Sequence, residues 1–340
     1  MLVGHRVVCY EDATAADVRG AHIVIAAFKN PKAIAHGWTF PPMLERLGLS
    51  SSTLVGKVLV HLDDEYGARN PRSDADWRNY CAMYAGWRHV FRNYWSEAWA
   101  SRVARNHAMN CSCADSESTS ITVVSPAIGS ARGPGHNGNG PRVEWTPLGW
   151  SANWQPAVTP QRASRRTSGF VGFYGNEKYQ LRPNRGALMA RFEHETGLRV
   201  ERMLGRVGFG RGNATNYVRL MHDTQLCLQI SGLSAECYRM YEALDAGCVP
   251  ILINQFGKET ATQYKFLLGA KDVRRPPPPF PWAESPEMLK DALRRLKADA
   301  AALDVMQSDT RKWWNANLAH VRQRVVTSGA MVNVGAKGGC

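Results

Sequence analysis

Three adjacent carboxylates, Asp63, Asp64 and Glu65, follow the apolar run Val55–Leu62, in which His61 is the last polar residue. The run has the near-continuous apolar character of a buried parallel strand, so these side chains are expected at its carboxyl end. Crowded carboxylates repel one another unless solvent, a cation or a substrate hydroxyl relieves them. Because a carboxylate can take a proton from an attacking hydroxyl, we predict Asp64 and Glu65, with His61 nearby, as catalytic residues.

A second set of polar residues lies between Leu226 and Ile253, where a strand, a Ser-Gly loop, a helix and another strand follow one another. Parallel α/β sheets bind ligands beyond the carboxyl ends of their strands, close to helix N-termini. A carboxylate there can hold both ribose hydroxyls of a nucleotide, and an arginine can neutralise its phosphates. The residues predicted to bind a nucleotide are Ser231, Gly232, Glu236, Arg239 and Glu242.

The stretch from Ser168 to Arg185 has a similar order, with a strand, a glycine turn and a helix that starts with basic residues. Backbone amides at Gly175 and at the helix N-terminus can cradle a diphosphate, with Arg182 or Arg185 as the counter-charge. Basic residues at a helix start also serve ordinary solvation, so the turn alone indicates little. The neighbouring nucleotide-binding pattern favours the functional interpretation.

Together these segments resemble the exostosin-like glycosyltransferases, and most closely the branch related to ribitol xylosyltransferase. The matching motifs are Arg239-x-x-Glu242-Ala-Leu-x-x-Gly-Cys-Val-Pro-Ile, Phe-x-Gly before the basic residues that follow Gly175, His61-x-x-Asp64-Glu65, Arg92-Asn93-Tyr94 and Pro147-Leu-Gly149-Trp150. The resemblance covers roughly Val58 to Ile253. An insertion from Asn110 to Gly140 departs from it and leaves the acceptor open.

The resemblance implies an α/β fold of the GT-B type, with two Rossmann-like domains facing across a cleft and with C-terminal helices. It implies transfer of xylose, another pentose or a uronic acid from a UDP-sugar to a glycan or polyol-phosphate acceptor. In that family the acidic residue matching Glu242 contacts the ribose, and Arg239 matches a basic position in the same helix. We expect an inverting reaction that requires no metal and no cofactor besides the UDP-sugar donor.

Two other interpretations of the acidic triplet Asp63-Asp64-Glu65 stay open. Single-domain GT-A transferases hold Mn²⁺ or Mg²⁺ with such carboxylates, together with a diphosphate. A solvated turn after a strand would show the same residues. Because the nucleotide-binding pattern lies in a separate downstream segment, we favour metal-independent chemistry, with arginines and helix amides stabilising the leaving diphosphate.

The elements that must position these residues alternate between β-rich runs and helical patterns, which is typical of parallel α/β layering. Strands are predicted at His5–Cys9, Ala21–Ala27, Lys57–Leu62, His89–Tyr94, Arg142–Leu148, Ser168–Tyr174, Leu198–Leu204, Leu226–Ile230 and Val249–Ile253. Helices are predicted at Asn184–Glu195, Thr215–Asp223, Ala235–Ala246, Pro286–Ala300 and about Asp309–Val325. Ser234 is the expected N-cap of the third helix, and Gly247 is its expected C-cap.

The pattern divides the 340 residues into two domains. We predict an acceptor-side domain over residues 1–160, with a loop insertion at about 110–141, and a nucleotide-sugar-binding domain over residues 161–325. Residues 326–340 are expected to form a flexible tail.

The composition gives a net charge of +13 and a pI near 9.5. Such a charge favours a polyanionic partner, which could be nucleic acid, an anionic membrane, an acidic glycan or a nucleotide diphosphate, and it equally fits a surface that only confers solubility. The non-enzymatic alternative is a basic protein on a transferase-like fold that binds nucleic acid or an acidic glycan. Its affinity for nucleic acid would fall steeply with salt. We expect a nucleotide-sugar donor and a glycan-type acceptor as partners, rather than nucleic acid.

Eight cysteines permit disulfides but do not imply them in a chain of this length. Cys227 and Cys248 lie in apolar runs and are expected as small core residues. Cys111 and Cys113, near His107, lack the paired Cys-x2-Cys spacing of zinc sites, so a loop is favoured over a metal site.

No run of 18 or more apolar residues occurs, so no membrane span is expected. The first residues reach charged positions too early for a signal peptide. By resemblance, the expected location is the Golgi lumen if an anchor precedes this chain, and the cytoplasm otherwise.

Overall fold

The computed structural model describes residues 14–27, 46–54, 57–62, 87, 89–92, 142–147, 154, 159–175, 185–204, 214–230, 237–253 and 277–335. Contacts between Cα atoms divide the chain into two compact units. One comprises Met1–Thr146 with Leu318–Cys340, and the other comprises Pro147–Asn317. The domain limits at residues 160 and 325 stay predictions.

The first unit contains a parallel sheet of four strands in the order β1-β2-β3-β4. The strands are β1 (Ile23–Ala27), β2 (Val58–Leu62), β3 (His89–Arg92) and β4 (Arg142–Trp145). Each lies within a predicted run, whereas the strand predicted at His5–Cys9 lies outside the described residues. Helix α1 (Ala15–Gly20) precedes β1 and begins at a capping box formed by Thr14 and Asp17.

The second unit contains five parallel strands in the order β6-β5-β7-β8-β9. They are β5 (Gly169–Gly175), β6 (Val200–Leu204), β7 (Thr224–Gln229), β8 (Val249–Ile253) and the short β9 (Trp282–Ala283). The first four were predicted within two residues at each end, and β9 was not predicted. Strand β8 is buried at every position, as expected for a central parallel strand.

Three helices connect these strands, namely α2 (Arg185–Thr196), α3 (Ala214–Asp223) and α4 (Tyr238–Ala246). The chain runs from β5 to β6 on one side and then returns to β7 on the other side of β5. Because crossovers between parallel strands are right-handed, this reversal places α2 and α4 on opposite faces of the sheet. The second unit is therefore a doubly wound α/β unit.

Helix α4 begins later than the sequence indicates. It starts at Tyr238 after the N-cap Cys237, instead of at Ala235 after Ser234. Its C-cap is Gly247, as predicted, with a left-handed φ of 67°. The β-region backbone of Cys237 sets the start of the helix, and polar residue type alone did not reveal it.

A disulfide joins Cys227 of β7 to Cys248, the residue before β8. Both are buried core residues, as expected, but the bond between them was not predicted. Apolar neighbours predict burial but not which strands are adjacent. Here β7 and β8 pair, and the two Cα atoms lie 5.7 Å apart, within the range that a disulfide spans.

Two helices end the described chain, α5 (Lys290–Ala298) and the 36-residue α6 (Ala300–Gly335), which is longer than predicted at both ends. Trp313 of α6 packs on Phe280 and Trp314 packs on Tyr241, with ring centroids 5.4 Å and 5.5 Å apart, respectively. Among the described helices, none is long and apolar enough to cross a membrane.

Candidate functional site

The winding of the second unit defines where a ligand can bind. The strand order reverses between β5 and β7, and the carboxyl ends of two strands at such a reversal leave a crevice between the diverging loops. Strand β5 ends at Gly175, and β7 ends at Gln229, followed by the buried Ile230. The topology therefore assigns the candidate site to the surroundings of Gly175 and Ile230.

Arg239, in the first turn of α4, reaches both of these strand ends. Its Nη2 atom donates a hydrogen bond to the Ile230 carbonyl oxygen at 3.4 Å. A Cβ atom at Gly175 would lie 3.2 Å from Arg239 Nη1 and 3.3 Å from Phe173 Cζ. A glycine at position 175 is thus what lets the guanidinium lie directly against the backbone of β5.

A second guanidinium, that of Arg185, lies at the same end of the sheet. Arg185 is the first residue of α2 and has no exposed surface. Its Cζ atom and that of Arg239 each lie 5.8 Å from the centroid of the Phe173 ring. Two cations on one aromatic ring interact favourably with its π-electrons and concentrate positive charge at the carboxyl end of β5.

Glu242 lies one turn after Arg239 on α4 and is 2% exposed. The hydroxyl of Tyr217, from α3, donates a hydrogen bond to its Oε2 atom. Burial raises the pKa of Tyr217 well above its usual value, and the negative charge of Glu242 and their hydrogen bond raise it further. The pair therefore consists of a neutral phenol that donates and a carboxylate that accepts.

The other end of α4 is held by buried polar contacts that fix its position. Arg166 donates hydrogen bonds to the carbonyl oxygens of Ala246 (2.7 Å) and Thr224 (2.9 Å), and Gln307 donates to that of Gly247 (2.7 Å). Burial lowers the pKa of Arg166 to about 10. These donors satisfy carbonyls that a helix end leaves without intrahelical partners, so α4 is fixed with Arg239 at the strand ends.

Of the residues predicted from the sequence, the structure brings Gly175, Arg185 and Arg239 together, and Glu242 lies on the same helix as Arg239. His61 is in β2, where its backbone pairs in register with Arg92. The predicted residues outside the described part of the chain are Asp64, Glu65, Arg182, Ser231, Gly232 and Glu236. Within the described residues, no group of three or more His, Cys, Asp or Glu is arranged to hold a metal ion.

Sequence reasoning included Phe173 in the Phe-x-Gly motif without giving it a role, and it missed Tyr217. The position of Phe173 offered a signal, because it precedes Gly175 by two residues and so lies on the same face of the strand. Tyr217 offered none, since it lies 25 positions before Glu242 and on a different helix.

A doubly wound unit with basic side chains at its switch point is the architecture of a nucleotide-binding α/β domain. Comparison with known families gives a more particular result, since residues 210–328 match the family model of the RXYLT1 C-terminal domain. This match confirms the predicted resemblance. Residues 210–328 are thus similar to the C-terminal domain of a ribitol xylosyltransferase. The two parallel sheets confirm the predicted α/β fold class.

Solved structures give weaker similarities. An α-glucosyltransferase in complex with UDP-glucose and DNA containing an abasic site has a TM-score of 0.48 at 10% identity, covering 88% of this chain and 77% of that chain. T4 phage BGT in complex with UDP and Mn²⁺ has a TM-score of 0.34 at 12% identity, covering 81% of each chain. The O-GlcNAc transferase of Thermobaculum terrenum has a TM-score of 0.35 at 13% identity, covering 94% of this chain and 70% of that chain. None of the curated proteins matches the chain in sequence.

Proposed function

We propose that the second unit binds a UDP-sugar at the carboxyl ends of β5 and β7, and that the protein transfers the sugar to an acceptor hydroxyl. The observation that carries this proposal is the position of Arg239, whose guanidinium lies against Gly175 at the switch point of the sheet. The family match over residues 210–328 supports the reaction class.

In this proposal Arg239 contacts the diphosphate, and the buried Arg185 adds positive potential at the same strand ends. Negative charge develops on UDP as its bond to the sugar breaks. Cations fixed in advance stabilise that charge without reorganising, which lowers the barrier. Glu242 holds the ribose hydroxyls, and the other proposed donor-binding residues are Gly175, Arg182, Ser231, Gly232 and Glu236.

On the acceptor side, we propose Asp64 or Glu65 as the base, with His61 nearby. The acceptor oxygen attacks the anomeric carbon, the base takes the hydroxyl proton, and UDP leaves with the bonding electrons. One displacement inverts the configuration and needs no metal. The proposed sugar is xylose, another pentose or a uronic acid, and the proposed acceptor is a glycan or a polyol phosphate.

Ligand-dependent thermal stability tests the donor site. A ligand that binds only the folded state raises the melting temperature. We expect millimolar UDP to raise the melting temperature of the wild-type protein by several degrees. The same UDP concentration should not raise the melting temperature of Glu242→Ala. Glu287→Ala is the control, because Glu287 is a glutamate whose partner is the exposed Arg191 rather than Tyr217. If UDP causes no stabilisation of the wild-type protein, the proposed function is wrong.

A screen of donor hydrolysis over UDP- and GDP-sugars tests the chemistry. We expect turnover of a UDP-sugar that persists in EDTA. Loss of turnover in EDTA, with recovery on adding Mn²⁺, would contradict the metal-independent mechanism while leaving the donor site intact.

A further inference from the structure

We propose that Tyr217 is a positioning residue that fixes the carboxylate of Glu242 for the ribose hydroxyls of the nucleotide. This inference rests on the proposed function, since it requires that Glu242 contacts the ribose. The proposal adds a residue of α3 to a site that the sequence motif locates on α4 alone.

The first argument is the hydrogen bond between two buried groups. Tyr217 is 5% exposed and Glu242 is 2% exposed, and the phenol donates to Glu242 Oε2. A buried carboxylate is costly unless donors compensate for the water that it has lost. Hydrogen bonds to an ionised group are also stronger and more directional than those between neutral groups. The Tyr217 hydroxyl therefore restricts how the Glu242 carboxylate can rotate.

The second argument is that the Tyr217 ring is itself fixed. Trp154 and Tyr174 contact it edge-on, with centroids 6.2 Å and 6.3 Å away and interplanar angles of 73° and 86°. The Trp154 indole N–H donates to Asp245 Oδ2 at 2.8 Å, which ties that ring to α4. Two aromatic rings that pack against the phenol hold its hydroxyl in one position. The hydroxyl in turn fixes the position of the Glu242 oxygen that accepts its hydrogen bond.

The third argument concerns the proton. The raised pKa of Tyr217, caused first by burial and then by the charge of Glu242, keeps the phenol protonated through neutral pH. The hydroxyl therefore remains a donor over the range in which a transfer reaction is assayed. Because the ordinary pKa of a phenol is about 10 and that of Tyr217 is raised above it, the hydroxyl keeps its proton between pH 6 and 8.

The test compares UDP with 2′,3′-dideoxy-UDP, which lacks both ribose hydroxyls, by calorimetric titration. We expect the wild-type protein to bind UDP more tightly than dideoxy-UDP. Tyr217→Phe should lower the ratio of the two affinities by about tenfold, the cost of losing a hydrogen bond to a charged group. Affinity for dideoxy-UDP should stay unchanged. Tyr174→Phe is the matched control, because Tyr174 is a buried tyrosine of the same cluster whose hydroxyl bonds Thr224 instead.

A double-mutant cycle keeps the test independent of a general loss of stability. Glu242→Gln should also lower the preference for UDP, and the double variant should lose no more than the larger of the two single losses. An unchanged preference in Tyr217→Phe, or additive losses in the cycle, would overturn the inference. Absence of UDP binding by the wild-type protein would instead refute the proposed function itself.

Discussion

Arg239 Nη2 donates a hydrogen bond to the Ile230 carbonyl oxygen across 3.4 Å, which joins the first turn of α4 to the end of β7. The same guanidinium lies against Gly175 at the end of β5. One side chain thus contacts the two strands between which the winding of the sheet reverses.

Gly175→Ala should weaken UDP binding several-fold. The added methyl would lie 3.2 Å from Arg239 Nη1 and 3.3 Å from Phe173 Cζ, so the guanidinium must shift. Because the buried Phe173 ring must also give way, the free energy of unfolding should fall by about 1 kcal/mol, the low end of the range for overpacking. Calorimetric titration and urea unfolding measure the two effects. Gly20→Ala, whose methyl meets nothing within 4 Å, is the control, and equal UDP affinity in both variants would contradict the prediction.

Gly247→Ala should lower the free energy of unfolding by about 2 kcal/mol or more, from left-handed backbone strain and overpacking. The φ angle is +67°, and the methyl would lie 2.9 Å from Pro160 Cβ and 3.1 Å from Arg166 Nη2. Gly48→Ala separates the two causes, because Gly48 has a φ of +62° with nothing within 4 Å. Urea unfolding should show the larger loss at Gly247, and similar losses would exclude the packing contribution.

Replacing the disulfide by Cys227→Ala with Cys248→Ala should lower the free energy of unfolding by about 2–4 kcal/mol, the usual range for such a cross-link. The bridge spans 21 residues that include all of α4. A reducing agent should lower the melting temperature of the wild-type protein. It should leave the melting temperature of the double variant unchanged. Cys237→Ala, at a buried free cysteine, is the control. A wild-type melting temperature that does not respond to reduction would contradict the bridge.

Asp223 should contribute stability that is lost in acid. Burial acts to raise its pKa, but hydrogen bonds from the Ser168 and Thr167 hydroxyls and backbone amides outweigh burial and lower it. A carboxyl group with a lowered pKa in the folded state stabilises above its unfolded pKa, and this stability is lost as the pH falls through the folded value. Asp223→Asn should therefore flatten the decline in melting temperature below about pH 4. A decline in Asp223→Asn that runs parallel to that of the wild-type protein would refute the prediction.

Local signals account for the part of the fold that could be predicted. Apolar runs located β2, β5, β7 and β8, and Gly247 marked the end of α4 because a left-handed cap favours glycine. The spacing of Arg239 and Glu242 placed both on one helix at the strand ends. These features depend on neighbours within a few positions along the chain.

Contacts between distant segments could not be predicted in this way. The Cys227–Cys248 disulfide depends on the pairing of β7 with β8. The burial of Glu242 against Tyr217 depends on how α3 packs on α4. An acidic residue in a helix is predicted to be solvent-exposed when the helix that packs against it is unknown. Only the three-dimensional arrangement shows that the carboxylate of Glu242 accepts a hydrogen bond from a buried donor.

The measurement that tests the central claim most directly is the Kd of UDP for the wild-type protein, Arg239→Ala and Arg191→Ala, by calorimetric titration. Arg191 is the control because it is an exposed arginine on α2 whose partner is Glu287. We predict that Arg239→Ala weakens UDP binding about tenfold or more, the cost of losing charged hydrogen bonds to phosphate, and that Arg191→Ala leaves it unchanged. Equal affinities in all three proteins would show that the nucleotide does not bind at the Arg239 end of β5 and β7.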